Sequence, residues 1–437
     1  MKKPSLLIIF LTVFIDLIGF GIVLPLLPIY SDKFGANGFM IGVIMASFSA
    51  MQFLFAPAWG RLSDRIGRRP VLLVSTAGAA ASYALFGLGS GVTSATTALT
   101  VVVLSRVLAG VCGANITVAQ ACIADVTPPE LRSKKMGLIG MAFGLGFIFG
   151  PALGGFSIKW FGIAGPGWVA ASLCALNFFL ALAILPETRH AGTAPVNSRP
   201  HWDQCRHTMT RPGVGLLVIV FFLATFCFTC FESTLSLLVA RNFKLIDFSS
   251  KVSSLELMNR EKFADAATTG SFLFVWCGLI GAFVQGGPLG RIVKQFGEVK
   301  LIGISLILVA VSLAPLPFVH GEGRLSWAAL FHAGALPWWE MLALLAVLAI
   351  GSSLTRPPLF GLISILTPAN EQGATLGVAQ SAGSLARIVG PIFAASLFDA
   401  HEAFPYVTCG IIALLTGIIA WTRLSHVPGA AAAHQSG

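Results

Sequence analysis

The chain has 437 residues, of which 56% are hydrophobic and only 11% are charged, and its formal net charge is +10. Soluble globular domains carry about 25% charged residues, so this composition excludes an ordinary soluble fold. Apolar stretches of about 20 residues recur along most of the chain, and each is long enough to cross a hydrocarbon core about 30 Å thick. These stretches are continuously apolar, whereas the strands of a membrane barrel would alternate. The sequence therefore predicts an all-α membrane protein.

Twelve transmembrane helices are predicted when the chain is broken at its polar and turn-rich stretches. The first apolar run continues to Pro28 without the small-residue cleavage site of a signal peptide, so we expect it to remain as a span. Most of the eight cysteines fall within apolar runs, where they are expected to act as small hydrophobic side chains. The predicted spans are residues 5–30, 39–59, 71–90, 97–124, 135–158, 166–186, 213–240, 266–289, 299–319, 338–366, 373–397 and 403–424.

The largest polar interruption, residues 187–212, is predicted to be a cytoplasmic linker between two six-helix halves, 1–186 and 213–437. With this arrangement of spans, Lys and Arg are concentrated on the side of the N-terminus. That bias predicts a multi-pass protein of the inner (cytoplasmic) membrane with both termini in the cytoplasm. The net charge of +10 is thus explained by topology, and no nucleic-acid partner is expected.

A weak internal repeat relates the two halves. The stretch "TPPELRSKKMG", which starts at Thr127, corresponds to "TPANEQGATLG", which starts at Thr367. In the same register, Gly150-Pro151 corresponds to Gly390-Pro391. Two related halves are a common transporter design, in which the substrate binds near the midplane between them. The expected fold is therefore two pseudo-symmetric six-helix halves.

Four short stretches carry the signatures of one family in the correct order. They are "DLIGFGIVLPLLP" (16–28) in span one, "GRLSDRIGRRPVLL" (60–73) between spans two and three, "LSRVLAG" (104–110) in span four and "GLGFIFGPALGG" (144–155) in span five. In these stretches the chain resembles the major facilitator superfamily, and especially its twelve-span drug/proton antiporters, the group of the tetracycline exporters. The resemblance implies alternating access, proton coupling and efflux of an amphiphilic compound.

The stretch 60–73 is interpreted as a short basic loop and resembles the segment in which this family forms an ionic latch between helices. In that interpretation Asp64 and nearby arginines hold one conformation and release it during the cycle, with Asp125 as a further partner for the arginines. The glycines permit a tight turn and close packing. The arginines also suit a simpler role as anchors at the lipid headgroups. The candidate latch residues are Gly60, Arg61, Asp64, Arg65, Gly67, Arg68, Arg69 and Asp125.

Span five is rich in glycines at four-residue spacing, which lets helix backbones approach each other closely. Pro151 is expected to bend this span, because proline removes a backbone hydrogen bond. A bent and tightly packed helix suits a rocking interface, and plain helix packing explains the same pattern. The residues of this antiporter-like motif are Gly146, Gly150, Pro151, Gly154 and Gly155.

Ionisable side chains inside membrane spans are costly and usually functional. Asp16 in span one and Arg106 in span four both fall near the midplane, and we interpret Asp16 as a protonation site that Arg106 modulates. A static buried ion pair is the alternative. Glu232 in span seven is a second candidate, as a proton site, as a ligand for a cationic substrate or as a side chain that reaches the outer interface.

The second half contributes two arginines and several aromatic side chains to the candidate cavity. Arg387 falls near mid-depth in span eleven, and Arg356 in span ten is followed by two prolines. Either arginine is expected to meet an anionic substrate group or a helix C-terminus. Phe226 and Trp276 are aromatic candidates for an apolar pocket. The cavity residues we select are Phe20, Asn115, Phe231, Gln380 and Arg387.

The leading functional prediction is a proton-coupled efflux antiporter of amphiphilic drugs or metabolites. The alternative is a proton-coupled uptake symporter of a small polar solute or organic acid. Enzyme activity and coupling to ATP are not expected, because the sequence shows no catalytic histidine spacing and no phosphate-binding loop. We expect no cofactor and no metal, since the proton gradient is the energy source. The expected partners of the monomer are a small-molecule substrate, protons and the lipid bilayer.

Overall fold

The computed structural model describes residues 6–113, 115–127, 129–188, 201–245, 260–332, 334–368 and 371–425. Within these ranges all regular secondary structure is helical, as the composition predicts. In chain order the α-helices are α1 (Leu6–Val23), α2 (Leu27–Lys33), α3 (Gly38–Ile66), α4 (Arg68–Ser90), α5 (Ala95–Val111), α6 (Asn115–Val126), α7 (Pro129–Phe161), α8 (Gly165–Ile184), α9 (His201–Thr210), α10 (Val214–Asn242), α11 (Arg260–Gly286), α12 (Leu289–Phe296), α13 (Glu298–Leu313), α14 (Trp327–Leu330), α15 (Leu336–Ile365), α16 (Gln372–Ala400) and α17 (Phe404–Leu424).

Eleven segments of the described chain are long and apolar enough to cross a membrane. They account for eleven of the twelve predicted spans, and the first of them continues from α1 through a short 3-10 turn into α2. The remaining predicted span, 97–124, differs from the expected continuous helix because it is broken into α5 and α6. The predicted all-α membrane architecture is confirmed.

The break between α5 and α6 is stabilised by side chains of α3 and α4. Gly110 and Gly113 flank the break, and glycine is a poor helix former. Where a helix ends, its last carbonyl groups lose their intrahelical partners. Three of these carbonyls accept hydrogen bonds instead: Val111 O from Trp59 Nε1 (2.6 Å), Gly113 O from Gln52 Nε2 (3.2 Å) and Cys112 O from the Ser75 hydroxyl.

The chain divides into two compact units, and two long helices contribute to both. Helix α10 passes from the second unit to the first after Thr234, and α11 passes from the first to the second after Gly278. The halves predicted from the polar linker are a different division of the chain and stay a prediction. Unit 1 comprises Met1–Ala194, Leu235–Gly278 and Glu322–Arg324; unit 2 comprises Pro195–Thr234, Leu279–Gly321 and Leu325–Gly437.

In unit 1, α1 and α7 pack backbone against backbone. A β-carbon on Gly150 would lie 2.6 Å from the Cα and carbonyl carbon of Gly21, and one on Gly154 would lie 2.8 Å from Ile22 O. One turn earlier, a β-carbon on Gly146 would lie 2.9 Å from Leu17 Cβ. Small residues at this spacing let two membrane helices approach closely. Gly146, Gly150 and Gly154 of the antiporter-like motif thus form the face of α7 that holds α1.

Unit 2 is organised around an apolar core to which five helices contribute. Helices α10, α13, α15, α16 and α17 each bury hydrophobic side chains in one cluster. Removing these side chains from a polar environment and packing them densely stabilises the bundle. Representative members of this cluster are Leu217, Phe221, Ile302, Leu359, Ala379 and Leu424.

Candidate functional site

The stretch 60–73 is helical on both sides of a single residue, so the prediction of a basic loop is wrong. Helix α3 ends at Ile66 and α4 begins at Arg68. Gly67 alone joins them, with φ 106° and ψ 160°. Residues with a β-carbon rarely adopt this backbone conformation, whereas glycine does so without strain. One glycine therefore turns the chain where a longer loop was expected.

The carboxylate of Glu187, which lies just after the end of α8, caps the N-terminus of α4. Glu187 Oε1 accepts a hydrogen bond from the Arg68 backbone N–H (2.8 Å), and Oε2 accepts one from the Arg69 N–H (3.1 Å). The first N–H groups of a helix lack intrahelical partners and carry a partial positive charge, so an anion is favourable there. Glu187 was not among the residues predicted from the sequence, although this acid directly follows the predicted span 166–186.

The side chain of Arg68 joins α4 to two other helices of unit 1, α6 and α3. Its Nε lies 3.0 Å from Asp125 Oδ2 at the end of α6, and its Nη1 donates to Ser63 Oγ in α3 at 2.7 Å. Thr188 Oγ1 lies 3.5 Å from the same Asp125 oxygen. The structure thus brings Arg68 and Asp125 of the predicted latch together, and it adds Ser63, Thr188 and Glu187 to their network.

The other predicted latch residues occupy varied positions at this junction. Arg61 and Arg65 are exposed, and Arg69 Nη2 donates to Leu182 O at 2.8 Å. Gly60 is half-buried in α3, and its carbonyl accepts a hydrogen bond from Ser63 Oγ. The side chain of Asp64 lies outside the described part of the structure. The function of these residues as a latch stays a prediction.

Arg106 is buried deep in unit 1 among aromatic rings. Only 2% of its surface is exposed. Its guanidinium carbon lies 4.8 Å from the ring centroid of Phe48 and 5.8 Å from that of Phe20. The positive charge is attracted by the faces of such rings, and a buried charge needs such compensation. Phe20, a predicted cavity residue, therefore lies beside the Arg106 guanidinium, and the Phe147 ring packs against Phe20.

Tyr83 in α4 links Arg106 to Asp16. Its side chain lies close enough to Arg106, Asp16 and Cys174 to interact electrostatically with each of them. A β-carbon on Gly19 would lie 3.0 Å from the Tyr83 ring, which shows how closely α1 approaches this side chain. Tyr83 was not among the residues predicted from the sequence. Its signal was composition, because the chain keeps only 3 tyrosines beside 34 phenylalanines, and a hydroxyl in a membrane span needs a polar partner.

Unit 2 contains a second group of ionisable side chains on three helices. Glu232 in α10 is 7% exposed and interacts electrostatically with Arg387 in α16 and Arg356 in α15. The guanidinium carbon of Arg356 lies 5.6 Å from the ring centroid of Phe221. Arg387 Nη2 donates to Ser384 Oγ at 3.3 Å. The structure thus brings together two predicted residues, Glu232 and Arg387, with Arg356.

The remaining predicted residues are placed individually. Phe231 is buried in α10, and Gln380 is exposed on α16. The side chain of Asn115 lies outside the described residues. Pro151 is buried within α7, and a β-carbon on Gly155 would lie 3.3 Å from Ser271 Cβ in the part of α11 that belongs to unit 1. The functional roles assigned to these residues from the sequence stay predictions.

The membrane-spanning helices and their buried ionisable groups define a polytopic transport protein. The family model described as the Major Facilitator Superfamily matches residues 9–334 and, in a second match, residues 253–436. The chain belongs to this family, which confirms the resemblance seen in the sequence. It is therefore a multi-pass membrane protein of a transporter family that acts on small molecules.

Several resistance proteins are similar to this chain over most of its length. The tetracycline resistance protein, class E, of Escherichia coli is 33% identical over 400 residues, which cover 89% of this chain and 86% of the relative. The class B protein of Escherichia coli is 29% identical over 394 residues, with coverages of 88% and 86%. The quinolone resistance protein NorA of Staphylococcus aureus is 25% identical over 426 residues and 95% of each chain.

Solved transporter structures share the fold. The human organic anion transporter MFSD10 (TETRAN) superposes with a TM-score of 0.63 at 24% identity, over 95% of this chain and 98% of that one. A D-xylose-proton symporter superposes with a TM-score of 0.65 at 18% identity, over 97% and 98% of the two chains. An organic anion transporter and a proton symporter thus share this architecture, so the fold by itself does not identify the substrate.

Proposed function

We propose that this protein is a proton-coupled antiporter that exports amphiphilic drugs or metabolites of the tetracycline or multidrug type by alternating access. The observation that carries the proposal is the group of ionisable side chains inside the membrane helices of unit 1, where Arg106 is buried against Phe20 and Phe48 and Tyr83 packs on the α1 helix that carries Asp16. Similarity to tetracycline and quinolone resistance proteins supports efflux over uptake of a polar solute. The proton gradient supplies the energy, and the chain works as a monomer without a cofactor.

Each member of this group has a distinct role in this mechanism. Asp16 is half-buried, so its carboxyl can exchange a proton with water when the transport path opens towards it. Arg106 keeps its positive charge throughout, because the guanidinium does not deprotonate in proteins. Tyr83 interacts with both groups, so a change in the charge of Asp16 alters the electrostatic environment of Arg106. Proton binding at Asp16 thereby biases the packing of α1, α4 and α5.

The α3–α4 junction serves as the latch in this proposal. The bonds of Arg68 to Asp125 and of the α4 N-terminus to Glu187 hold the junction in one arrangement, and their release accompanies the other conformation. The junction lies on the cytoplasmic side of the inner membrane, as do both termini. A fluorescent protein fused to the C-terminus tests this orientation, because it folds and emits in the cytoplasm. A dark fusion would reverse the proposed topology.

The test of antiport uses purified protein in liposomes that contain a trapped pH dye. With an imposed pH gradient, tetracycline and a series of hydrophobic cations are added to wild type, Asp16→Asn and Asp203→Asn. Asp203 is an exposed carboxylate in α9 and is the matched control. We expect substrate-driven proton flux in wild type and in Asp203→Asn, and none in Asp16→Asn.

Two other outcomes would contradict parts of the proposal. Unchanged flux in Asp16→Asn would remove Asp16 from the proton path and leave Glu232 as the next carboxyl to test. Absence of flux with every compound, combined with accumulation of a polar solute inside the liposomes, would replace efflux antiport with uptake symport.

A further inference from the structure

The ionisable group of unit 2 carries more positive than negative charge, which is unusual for membrane-spanning helices. Two arginines and one glutamate give Arg356, Arg387 and Glu232 a net charge of about +1, since arginine is always charged in proteins. Ionisable side chains on membrane-spanning helices face a bundle interior or a polar cavity, and they mark the paths of substrates or ions. A surplus of positive charge points to an anionic ligand.

The helices that carry the two arginines, α15 and α16, both contact one phenylalanine ring, that of Phe221 in α10. The guanidinium of Arg356 lies 5.6 Å from the centroid of Phe221. A β-carbon on Gly383 would lie 2.8 Å from Phe221 Cε1, so α16 packs directly against the same ring. The next residue, Ser384, accepts the hydrogen bond from Arg387 at 3.3 Å. Helices α15 and α16 therefore both pack on Phe221, and Arg387 lies on α16 one turn beyond the glycine that contacts this ring.

Glu232 reaches this region because α10 is held against α16 one turn beyond Arg387. The thiol of Cys230 donates to Gly390 O at 3.4 Å. A β-carbon on Gly390 would lie 3.2 Å from Thr229 Cβ. The close approach at Gly390 places the carboxyl of Glu232 within the electrostatic field of both arginines.

The protein itself satisfies few of the guanidinium donors. Each guanidinium carries five N–H donors, yet within the described residues Arg387 donates to Ser384 and Arg356 rests on the Phe221 ring. Neither arginine is within ion-pair distance of Glu232 in the described part of the chain. Arg356 is exposed and Arg387 is half-buried, so their remaining donors can be reached by a ligand.

Aromatic pairs lie on α10, α15 and α16, the helices that carry the three charged residues. Such rings bind the apolar body of a ligand, while a few placed polar groups fix its orientation. A ligand that suits this lining has an aromatic or polycyclic body and one acidic group. The ring pairs are Phe221–Phe360 at 4.9 Å, Phe226–Phe393 at 5.2 Å and Phe222–Phe226 at 6.3 Å between centroids.

We propose that Arg356 and Arg387 bind the acidic group of an amphiphilic aromatic substrate, and that Glu232 is the internal anion with which this group competes. The proposal rests on the proposed function as a drug exporter and narrows its substrates to compounds with a carboxylate or a comparable acidic oxygen. Arginine suits this role because its planar fork matches two carboxylate oxygens. Phe221 keeps the Arg356 guanidinium oriented through its ring face.

The experiment measures binding to the full-length protein in nanodiscs made of phosphatidylcholine. The probes are 9-anthracenecarboxylate and its neutral amide, which have nearly the same shape and differ in charge. Binding is followed by anthracene fluorescence for wild type, Arg356→Gln, Arg387→Gln and Glu232→Gln. Arg423→Gln is the matched control, because Arg423 is exposed in the last turn of α17. Circular dichroism and elution profile establish that each variant is folded.

We expect wild type and Arg423→Gln to bind the carboxylate about tenfold or more tighter than the amide, as for charge-assisted hydrogen bonds. Each of Arg356→Gln and Arg387→Gln should remove most of this preference and leave the affinity for the amide unchanged. Glu232→Gln should strengthen carboxylate binding severalfold, because the competing anion is gone. This last variant also tests the proposal if an arginine variant fails to fold.

Equal affinity of wild type for the two probes would overturn the proposal, and so would an unchanged preference in folded Arg356→Gln and Arg387→Gln. Loss of the preference in nanodiscs that contain phosphatidylglycerol would assign the arginines to a lipid headgroup instead. The proton-flux assay is independent of these results. Failure of drug-driven flux with an intact carboxylate preference would reject the exporter and keep the anion site, whereas the reverse pattern would reject the anion site alone.

Discussion

Replacing Gly67 with alanine is expected to destabilise the protein by about 2–4 kcal/mol, through two separate effects. The backbone at Gly67 has φ 106°, a conformation that costs a residue with a β-carbon about 1–2 kcal/mol. The new β-carbon would also lie 2.9 Å from Glu187 Cδ. Because Glu187 is exposed, its side chain can swing away, and the second cost is the lost cap of α4, about 1–2 kcal/mol.

The assay is chemical unfolding of purified protein in mixed micelles, followed by tryptophan fluorescence. Gly35→Ala is the matched control, since Gly35 has φ 77° and no heavy atom within 4 Å of the added carbon. This variant should show the backbone cost alone. In a double-mutant cycle, Gly67→Ala and Glu187→Ala should be non-additive, because both remove the same cap.

Two results would refute this reasoning about Gly67. If Gly67→Ala and Gly35→Ala cost the same, then the contact with Glu187 contributes nothing to the role of Gly67. If Gly67→Ala and Glu187→Ala are fully additive, then the alanine does not act by displacing the capping carboxylate.

Two further substitutions test the packing between the membrane-spanning helices. Tyr83→Phe should lower the free energy of unfolding by about 1–3 kcal/mol, because the buried guanidinium of Arg106 loses a neighbouring hydroxyl. The same variant should also slow proton flux. Tyr406→Phe, which removes a buried hydrogen bond to Thr234 (3.0 Å), should cost stability but leave flux intact. Equal flux in both variants would exclude Tyr83 from the coupling network. Gly150→Ala should sharply reduce the yield of monodisperse protein, because its β-carbon meets the backbone of Gly21 at 2.6 Å, whereas Gly144→Ala in the same helix meets no atom within 4 Å. Equal yields would show that α1 and α7 tolerate a wider separation.

Sequence reasoning was sufficient for the class of fold because the membrane imposes simple rules. Continuous apolar runs must become helices, since lipid offers no partner to backbone polar groups. The same rules made Asp16, Arg106 and Glu232 conspicuous, because charges in a span are costly. Glycines at four-residue spacing in span five indicated close packing, and the structure shows which helix is the partner, α1.

The relations between distant residues were decided only by the tertiary structure. Glu187 caps α4, the helix that follows Gly67. The two residues are far apart in the sequence, so no local pattern predicts this contact. The break in the fourth span likewise depends on Trp59, Ser75 and Gln52, which belong to other helices.

The ionisable groups of the two units show the same difference between what the sequence determines and what the tertiary structure determines. Composition identified the charged residues, while Tyr83 and Phe221 looked like ordinary aromatic side chains of a membrane helix. Their importance follows from which guanidinium each one meets, Arg106 in unit 1 and Arg356 in unit 2. Periodicity and hydropathy describe one helix at a time, whereas the partner of a buried charge is set by how several helices are rotated and packed together.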